Sequence, residues 1–157
     1  MAEIIEFDKL CIEKGENVWT IIIDIYPVND DGALIDASGI GAIAALRDAV
    51  LPGLDENGKP DYKNRTKDKL PLTEVTPLSF TFYKLGKSLI LDPTREEEEA
   101  CDTKINWGIS KWNGKYMLNS CQKGQETPYT SEEISQMMEV LPKKHEEVMK
   151  KLNKFLK

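Results

Sequence analysis

The residues of this chain best suited to chemistry are carboxylates that lie close together in the sequence. Asp92, the run Glu96 to Glu99, and Asp102 fall within a few positions of one another. Paired carboxylates can hold a magnesium ion or act as general acid and base. Acidic residues that follow a strand also commonly form a solvated rim or the first turn of a helix. Both interpretations follow from the residues, and the surrounding elements must decide between them.

A second motif of chemical interest, the segment 39–44, matches the glycine-rich fingerprint of dinucleotide-binding proteins. That fingerprint needs its first glycine in the turn between a strand and a helix, where backbone N–H groups face a pyrophosphate. Here the turn signal is Asp31-Gly32, and Asp36 is the expected N-cap of the helix. Gly39 and Gly41 would then lie inside the helix, so we expect no nucleotide cofactor here.

The remaining reactive side chains carry no signature of catalysis or metal binding. The three cysteines lack paired metal-ligand spacing, and their odd number fits a reducing compartment. The single histidine, His145, lies among lysines and glutamates, where we expect no catalytic role. The first residues lack the features of a signal peptide, and no apolar run approaches the roughly 20 residues that span a bilayer. We therefore predict a cytoplasmic protein without a cofactor or metal.

The charge balance argues against a stand-alone nucleic-acid-binding domain. The formal net charge is −6, whereas neutralisation of phosphates supplies much of the affinity of such domains. The C-terminal stretch is locally basic, and a basic helix end is usually a solvated face. Its lysines are Lys143, Lys144, Lys150, Lys151, Lys154 and Lys157.

The first elements that position these residues are a predicted strand and a predicted helix, whose apolar faces must pack against other elements. Residues 18–26 are strongly apolar at both alternating sets of positions, which predicts a strand buried on both faces. A helix is predicted over residues 36–49, and it ends before Pro52. Two glycines inside it cost about 1 kcal/mol each relative to alanine, so close packing must hold it. The predicted packing residues are Asp36, Gly39, Gly41, Ala44 and Ala45.

A polar connection separates this unit from a second module. Residues 53–71 form the clearest internal boundary. Beyond it, two runs meet at Gly86-Lys87 and two more at Asn113-Gly114, which predicts two antiparallel hairpins. Thr130 to Glu133 form a capping box that opens a helix, which Pro142 is expected to kink or interrupt. The fold class is therefore α+β, with domain bounds at 1–52, 53–76 and 77–157.

These motifs resemble the RNase PH-like proteins, and within them most closely the non-catalytic subunit of the archaeal exosome. The resemblance covers essentially the whole chain. Family members are considerably longer, so the chain looks like their C-terminal part: the last strand and helix of the first module, then the second module. Met1 would then mark a split gene or a truncation. The strings that carry the resemblance are Asp31-Gly-Ala-Leu-Ile-Asp36, Ala44-Ala-Leu-Arg47, Thr81-Phe-Tyr-Lys-Leu-Gly86, Leu91-Asp-Pro-Thr-Arg-Glu-Glu-Glu98 and Gln122-Lys-Gly124.

The resemblance also implies that this chain has lost its catalytic pair. Phosphorolytic members of the family carry two aspartates six residues apart after the strand that ends here at Asp92. Aligning on that residue puts Glu98 and Lys104 at the two catalytic positions, and a lysine cannot act as a carboxylate. An alternative alignment with the same six-residue spacing would instead select Glu96 and Asp102. In either alignment the aspartate pair is absent, which implies a non-catalytic subunit.

Partners follow from the same resemblance. Catalytic and non-catalytic subunits of the family alternate in a hexameric ring that degrades RNA from its 3′ end by phosphorolysis. The resemblance thus implies a catalytic RNase PH-like partner, the N-terminal half that the chain lacks, and RNA held by the assembly. Two alternatives stay open: an adaptor that binds RNA or protein through the Lys-rich C-terminal helix, and a metal-dependent ribonuclease that uses Glu98 and Asp102.

Overall fold

The structure is a computed structural model that describes residues 4–155, the side chain of residue 65 excepted. Lys157 and residues 1–3 lie outside the described part. A short 3₁₀ helix, Phe7–Leu10, precedes eight strands and three α-helices of the described part. In chain order these are β1 (Cys11–Glu13), β2 (Asn17–Val18), α1 (Leu34–Asp48), β3 (Val50–Leu54), β4 (Pro60–Lys69), β5 (Leu78–Leu85), β6 (Ser88–Leu91), α2 (Arg95–Ala100), β7 (Thr103–Trp112), β8 (Lys115–Lys123) and α3 (Ser131–Phe155).

A four-stranded antiparallel sheet in the order β6-β5-β7-β8 forms the centre of the fold. Both predicted hairpins are present, because their turn residues have the backbone conformation that tight turns require. Asn113 and Gly114 have φ angles of 49° and 76°, as a two-residue turn between antiparallel strands demands. The α+β fold class, with antiparallel hairpins and a C-terminal helix, is confirmed.

Helix α3 begins at the predicted capping box. The Thr130 hydroxyl accepts from the Glu133 N–H at 3.2 Å, and the Glu133 carboxylate accepts from the Thr130 N–H at 2.8 Å. Helix α3 runs unbroken through Pro142, so an interruption there was wrong, while a kink at that residue stays a prediction. Packing of both halves of the helix on the sheet offsets the loss of one backbone hydrogen bond.

The main core lies between α3 and the sheet. Alternate residues of β5 and β7 point into it, and full burial of each such side chain stabilises the fold by about 1.5–3 kcal/mol. Its buried members are Ile43, Leu78, Phe80, Phe82, Ile105, Trp107, Ile109, Met137, Leu141 and Leu152. In the described part, no helix combines the length and apolar character needed to cross a bilayer.

Helix α1 begins earlier than predicted, and Asp36 is not its N-cap. Ala33 occupies the cap position with a φ of 51°, without a side-chain capping bond. Asp36 lies inside the first turn, and its carboxylate is directed instead to the backbone N–H of Thr81. The carboxylate thus serves the neighbouring sheet rather than its own helix.

The predicted strand over 18–26 was also wrong in extent. Only Asn17–Val18 forms a strand, paired with β1, and residues 19–27 carry no helix or strand. A strand needs a neighbour for its backbone groups, and no strand in the described part lies along these residues. Trp19 and Ile21 pack on a second small core of Ile5, Leu10, Leu46 and Leu70, whereas most of the following apolar residues are exposed.

The segment predicted as a polar connection contains a hairpin. Strands β3 and β4 pair antiparallel across a short turn at Asp55 to Lys59, with irregular register at two places. The many charged residues of β4 obscured this hairpin in the sequence, because strand patterns are recognised by alternating apolar residues.

Candidate functional site

The acidic segment forms the short helix α2, so the helical-turn interpretation of its glutamates is confirmed. A capping box opens it: the Thr94 hydroxyl accepts from the Glu97 N–H, and the Glu97 carboxylate accepts from the Thr94 N–H. Three glutamates lie in the first turn, where the helix dipole favours negative charge. Glu98 alone of the four turns partly inward.

Glu98 and Lys104, the two predicted degenerate catalytic positions, are brought together. The Lys104 ammonium lies 3.2 Å from one Glu98 carboxylate oxygen, and both side chains are about one-third exposed (34% and 28%). The other oxygen accepts from the backbone N–H of Ala33 at 3.1 Å. Lys104 also lies 5.6 Å from the centre of the Tyr83 ring. Glu98 therefore holds the loop that enters α1, and Lys104 neutralises it.

The alternative pair, Glu96 and Asp102, is not brought together. The Asp102 carboxylate accepts from the backbone N–H of Gly86 at 2.8 Å, in the turn between β5 and β6. Glu96 is exposed on α2, and no ion pair or hydrogen bond joins it to Asp102. Within residues 4–155, no group of three or more histidine, cysteine, aspartate or glutamate side chains is arranged to hold a metal ion.

A polar network lies beside this ion pair, around Asp36. One carboxylate oxygen of Asp36 accepts from the Thr81 N–H at 2.7 Å, and the other accepts from the Thr81 hydroxyl at 2.8 Å. The Asn106 amide donates to the Thr81 hydroxyl and to the carboxylate. Strand β6 pairs only with residues 82–85 of β5, so it does not reach Thr81. The Asp36 carboxylate accepts from the Thr81 N–H in place of a neighbouring strand.

Burial changes the acidity of two groups at this site. It raises the pKa of Asp36 against the opposing effect of the Thr81 hydrogen bonds, and the Asp92 and Glu98 carboxylates add to the rise. Burial, followed by the proximity of Glu98, raises the pKa of the Tyr83 hydroxyl. At neutral pH Tyr83 is therefore protonated and cannot act as a base.

A cleft of about 390 Å³ adjoins Asp36, between the N-terminus of α1, the first residues of β5 and α3. Lys144 and Lys151 line it, and both are paired with Glu147, which also lines it. These ion pairs lower the pKa of Glu147 to about 2. Glu98 and Lys104 do not line this cleft, so it does not join the degenerate catalytic positions.

The predicted packing residues of α1 divide into two groups. Gly39 lies against Ser79 of β5, where an added Cβ would meet the Ser79 side chain at 3.8 Å. Gly41 and Ala45 are exposed, and a Cβ on Gly41 would meet nothing within 4 Å. Ala44 is half-buried. The packing role of Gly41 and Ala45 stays a prediction, and it would need a surface outside this chain.

The sequence did not reveal that Asp36, Thr81 and Asn106 form one network. The only available signal was the alternation of β5, which separates Thr81 and Tyr83 from the apolar set of Leu78, Phe80 and Phe82. His145, in contrast, was expected in a charged tail and is buried. Its Nε2 lies 3.2 Å from the Thr76 carbonyl oxygen, and burial lowers its pKa.

Comparison with known families accounts for both halves of the chain. The RNase PH model, domain 1 of the 3′ exoribonuclease family, matches residues 6–52, and the domain 2 model of the same family matches residues 76–140. The chain belongs to the 3′ exoribonuclease family. The domain 2 match includes the central sheet, Glu98 and Lys104, and the domain 1 match includes α1 with Asp36.

Within the 3′ exoribonuclease family, the chain is similar to archaeal proteins described as exosome complex component Rrp42. It is 37% identical over 139 residues to the protein of Thermoplasma acidophilum, and this alignment covers 88% of this chain and 49% of the relative. It is 33% identical over 156 residues to the protein of Thermococcus kodakarensis, and this alignment covers 98% of this chain and 56% of the relative. The chain thus spans about half the length of the curated relatives it matches.

Solved structures agree with this assignment of the fold. The chain aligns with a TM-score of 0.74 and 30% identity to a chain of the Archaeoglobus fulgidus exosome with RNA bound to the active site, covering 87% of this chain and 50% of that one. It aligns with a TM-score of 0.73 and 30% identity to a chain of an archaeal exosome core, covering 87% and 51%.

Proposed function

We propose that this chain is a non-catalytic structural part of an exosome-type ring that degrades RNA from its 3′ end by phosphorolysis. The Rrp42 relatives are described as exosome components, and the similarity to them extends over most of this chain. In this proposal the chain shapes the active site of a catalytic RNase PH-like partner in a hexameric, cytoplasmic assembly.

The ion pair between Glu98 and Lys104 is the observation that carries the proposal. A phosphorolytic site needs carboxylates that can transfer a proton or bind a cation. Lys104 cannot replace a carboxylate as a cation ligand, and its charge repels a cation from Glu98. Both Glu98 oxygens already accept from groups of this chain. In the proposed assembly the reactive groups come from another subunit.

An apolar surface supports the need for a partner. Between Val18 and Val28 the chain exposes six large apolar side chains, including Tyr26 at 83% and Val28 at 99%. Exposed apolar side chains concentrated in one segment are typical of an interaction surface in soluble proteins. In the proposed assembly it packs against the remainder of the first RNase PH-like module, which would supply the neighbouring strands that these residues lack.

Co-expression tests this proposal. The chain would be produced with the N-terminal half of an Rrp42 relative and a catalytic RNase PH-like subunit, and the mass of the purified complex would be measured by light scattering. We expect a stable complex that releases nucleoside diphosphates from RNA in the presence of phosphate, and no such release by the chain alone. A chain that stays monomeric beside both partners, or that phosphorolyses RNA alone, would contradict the proposal.

A variant of the apolar segment and a matched control test whether this segment contacts the N-terminal half. Ile22→Ser with Tyr26→Ser should abolish association with the N-terminal half, because both side chains are largely exposed in the structure (78% and 83%). Leu118→Ser, at a residue that is 54% exposed on β8, is the matched control and should leave association unchanged. Equal effects of the two changes would mean that the apolar segment is not the contact.

A further inference from the structure

The β3–β4 hairpin is set apart from the central sheet. Its two strands pair with each other and with no strand of the four-stranded sheet in the described part. The turn between them is closed by Asp55, whose carboxylate accepts from the backbone N–H groups of Asn57 and Lys59 at 2.8 Å. The hairpin is therefore an ordered arm with two solvent-accessible strand edges.

The charge of this arm is opposite in sign to that of the whole chain. The arm, residues 50–69, contains five basic residues and four acidic ones, and residues 59–69 contain five basic residues and two acidic ones, whereas the formal net charge of the chain is −6. The basic residues are Lys59, Lys63, Arg65, Lys67 and Lys69. Four of them occupy every second position of β4, the strand whose register with β3 is irregular at two places.

Three of these lysines are unneutralised. Lys59, Lys63 and Lys67 are exposed, and none has a carboxylate within ion-pair distance among the residues that the structure describes. The nearby Asp61 forms no ion pair with them within the described residues, and its carboxylate accepts from the backbone N–H of Lys63 at 3.0 Å. In contrast, Lys144 and Lys151 of α3 share Glu147.

An exposed aromatic ring accompanies the free lysines. Tyr62 lies on β4 between Asp61 and Lys63, and 77% of it is exposed. Proteins that bind single-stranded nucleic acid combine a positive surface that follows the backbone with aromatic rings on which bases stack. An acidic protein segment would use the lysines but would gain little from the ring.

We propose that the β3–β4 hairpin binds single-stranded RNA, with Lys59, Lys63 and Lys67 on the phosphates and the Tyr62 ring stacked on a base. The relevance of this surface to RNA decay rests on the proposed function, because the ring would deliver RNA to the subunit. The lysine contacts depend on charge and the tyrosine contact on ring stacking, so the two can be tested separately.

Fluorescence anisotropy of a labelled 15-nucleotide oligouridylate with the full chain tests the lysines. Each phosphate contact with single-stranded nucleic acid contributes about 0.7 to the slope of log affinity against log salt. The variant Lys59→Gln/Lys63→Gln/Lys67→Gln should therefore lower that slope by about 2 and weaken binding about 100-fold near 0.1 M salt. The matched control is Lys143→Gln/Lys150→Gln/Lys154→Gln on α3, which should leave slope and affinity within two-fold of wild type.

Two substitutions test the ring. Tyr62→Ala should weaken oligouridylate binding by about 5- to 140-fold, the range that loss of one base–aromatic stack produces. Tyr62→Phe keeps the ring and should bind within about two-fold of wild type. Circular dichroism of each variant would establish that the fold is intact.

Specific outcomes overturn the proposal. Unchanged affinity and salt slope in the hairpin lysine variant would remove the arm as the RNA site. If polyglutamate binds as tightly as the oligouridylate, and Tyr62→Ala has no effect, the arm is a surface for acidic protein. Failure of the chain to join the co-expressed ring would refute the proposed function, while the anisotropy result for the arm would stand independently.

Discussion

Replacement of Asp36 by alanine should destabilise the fold through its effect on the edge of the sheet. The carboxylate accepts from the N–H and the hydroxyl of Thr81, a residue with no exposed surface. A buried donor left without an acceptor costs about 1–3 kcal/mol. The buried carboxylate itself costs free energy to desolvate, and Asp36→Ala removes that cost. We therefore expect a net decrease of about 2 kcal/mol in the free energy of unfolding. For a chain of this size that corresponds to a decrease of about 4–8 °C in Tm.

The cost of this substitution should also depend on pH. Burial raises the pKa of Asp36 above its ordinary value of 3.8, so between 3.8 and the raised value the folded protein binds more protons than the unfolded chain. The free energy of unfolding then decreases as pH rises through that window. The stabilisation by Asp36 is therefore greatest below pH 3.8, and the difference between wild type and Asp36→Ala should shrink as pH rises.

Urea unfolding followed by circular dichroism, at pH values from 3.5 to 7, measures both effects. The matched control is Asp48→Ala, which removes a carboxylate from the other end of α1 where 95% of the side chain is exposed. We expect this control to stay within about 0.5 kcal/mol of wild type. Equal costs for the two substitutions would refute the role of Asp36 at the sheet edge. A cost that increases with pH would refute the raised pKa.

Three further predictions concern single positions. Gly32→Ala should lower the free energy of unfolding by about 2–4 kcal/mol in thermal unfolding, because φ is 92° and a Cβ would collide with the Pro93 carbonyl. Gly58→Ala, where φ is 72° and the space around the Cβ is open, should lower it by about 1 kcal/mol. Wild type should lose stability as pH falls below 6.5, since burial lowers the pKa of His145, and His145→Gln should lack that component. A double-mutant cycle of Glu98→Gln and Lys104→Gln should give a coupling of about 0.5–1 kcal/mol that decreases in 0.5 M salt. Equal costs of the two glycine changes, an unaltered pH profile in His145→Gln, or zero coupling would contradict the respective prediction.

The parts of the fold that the sequence predicted correctly depend on local chemistry. The turn at Asn113-Gly114 needs two residues that accept positive φ, and the capping box at Thr130 needs two side chains three residues apart. Neither depends on what lies elsewhere in the chain, so periodicity and turn signals were sufficient for the central hairpins and for α3.

The parts that the sequence did not predict depend on distant residues. Residues 19–27 have the composition of a strand, but strand pairing requires a neighbour, and none is present in the described part. Asp36 has the spacing of an N-cap, but an unpaired stretch of β5 far along the chain competes for its carboxylate. Local propensity was overruled in both cases by contacts that a single sequence does not reveal.

Glu98 shows how a carboxylate at a degenerate catalytic position can become a structural group. One of its oxygens accepts from Lys104 of β7, and the other accepts from the Ala33 N–H at the entry of α1. Glu98 and Lys104 both lie in the region matched by the domain 2 model, whereas Ala33 lies in the region matched by the domain 1 model. Glu98 therefore links the two matched regions. Both contacts fix the orientation of the Glu98 carboxylate, and one of them is with a lysine whose charge repels a cation. These two contacts with groups of its own chain give Glu98 a structural role beside Lys104, which agrees with the proposed absence of catalysis in this subunit.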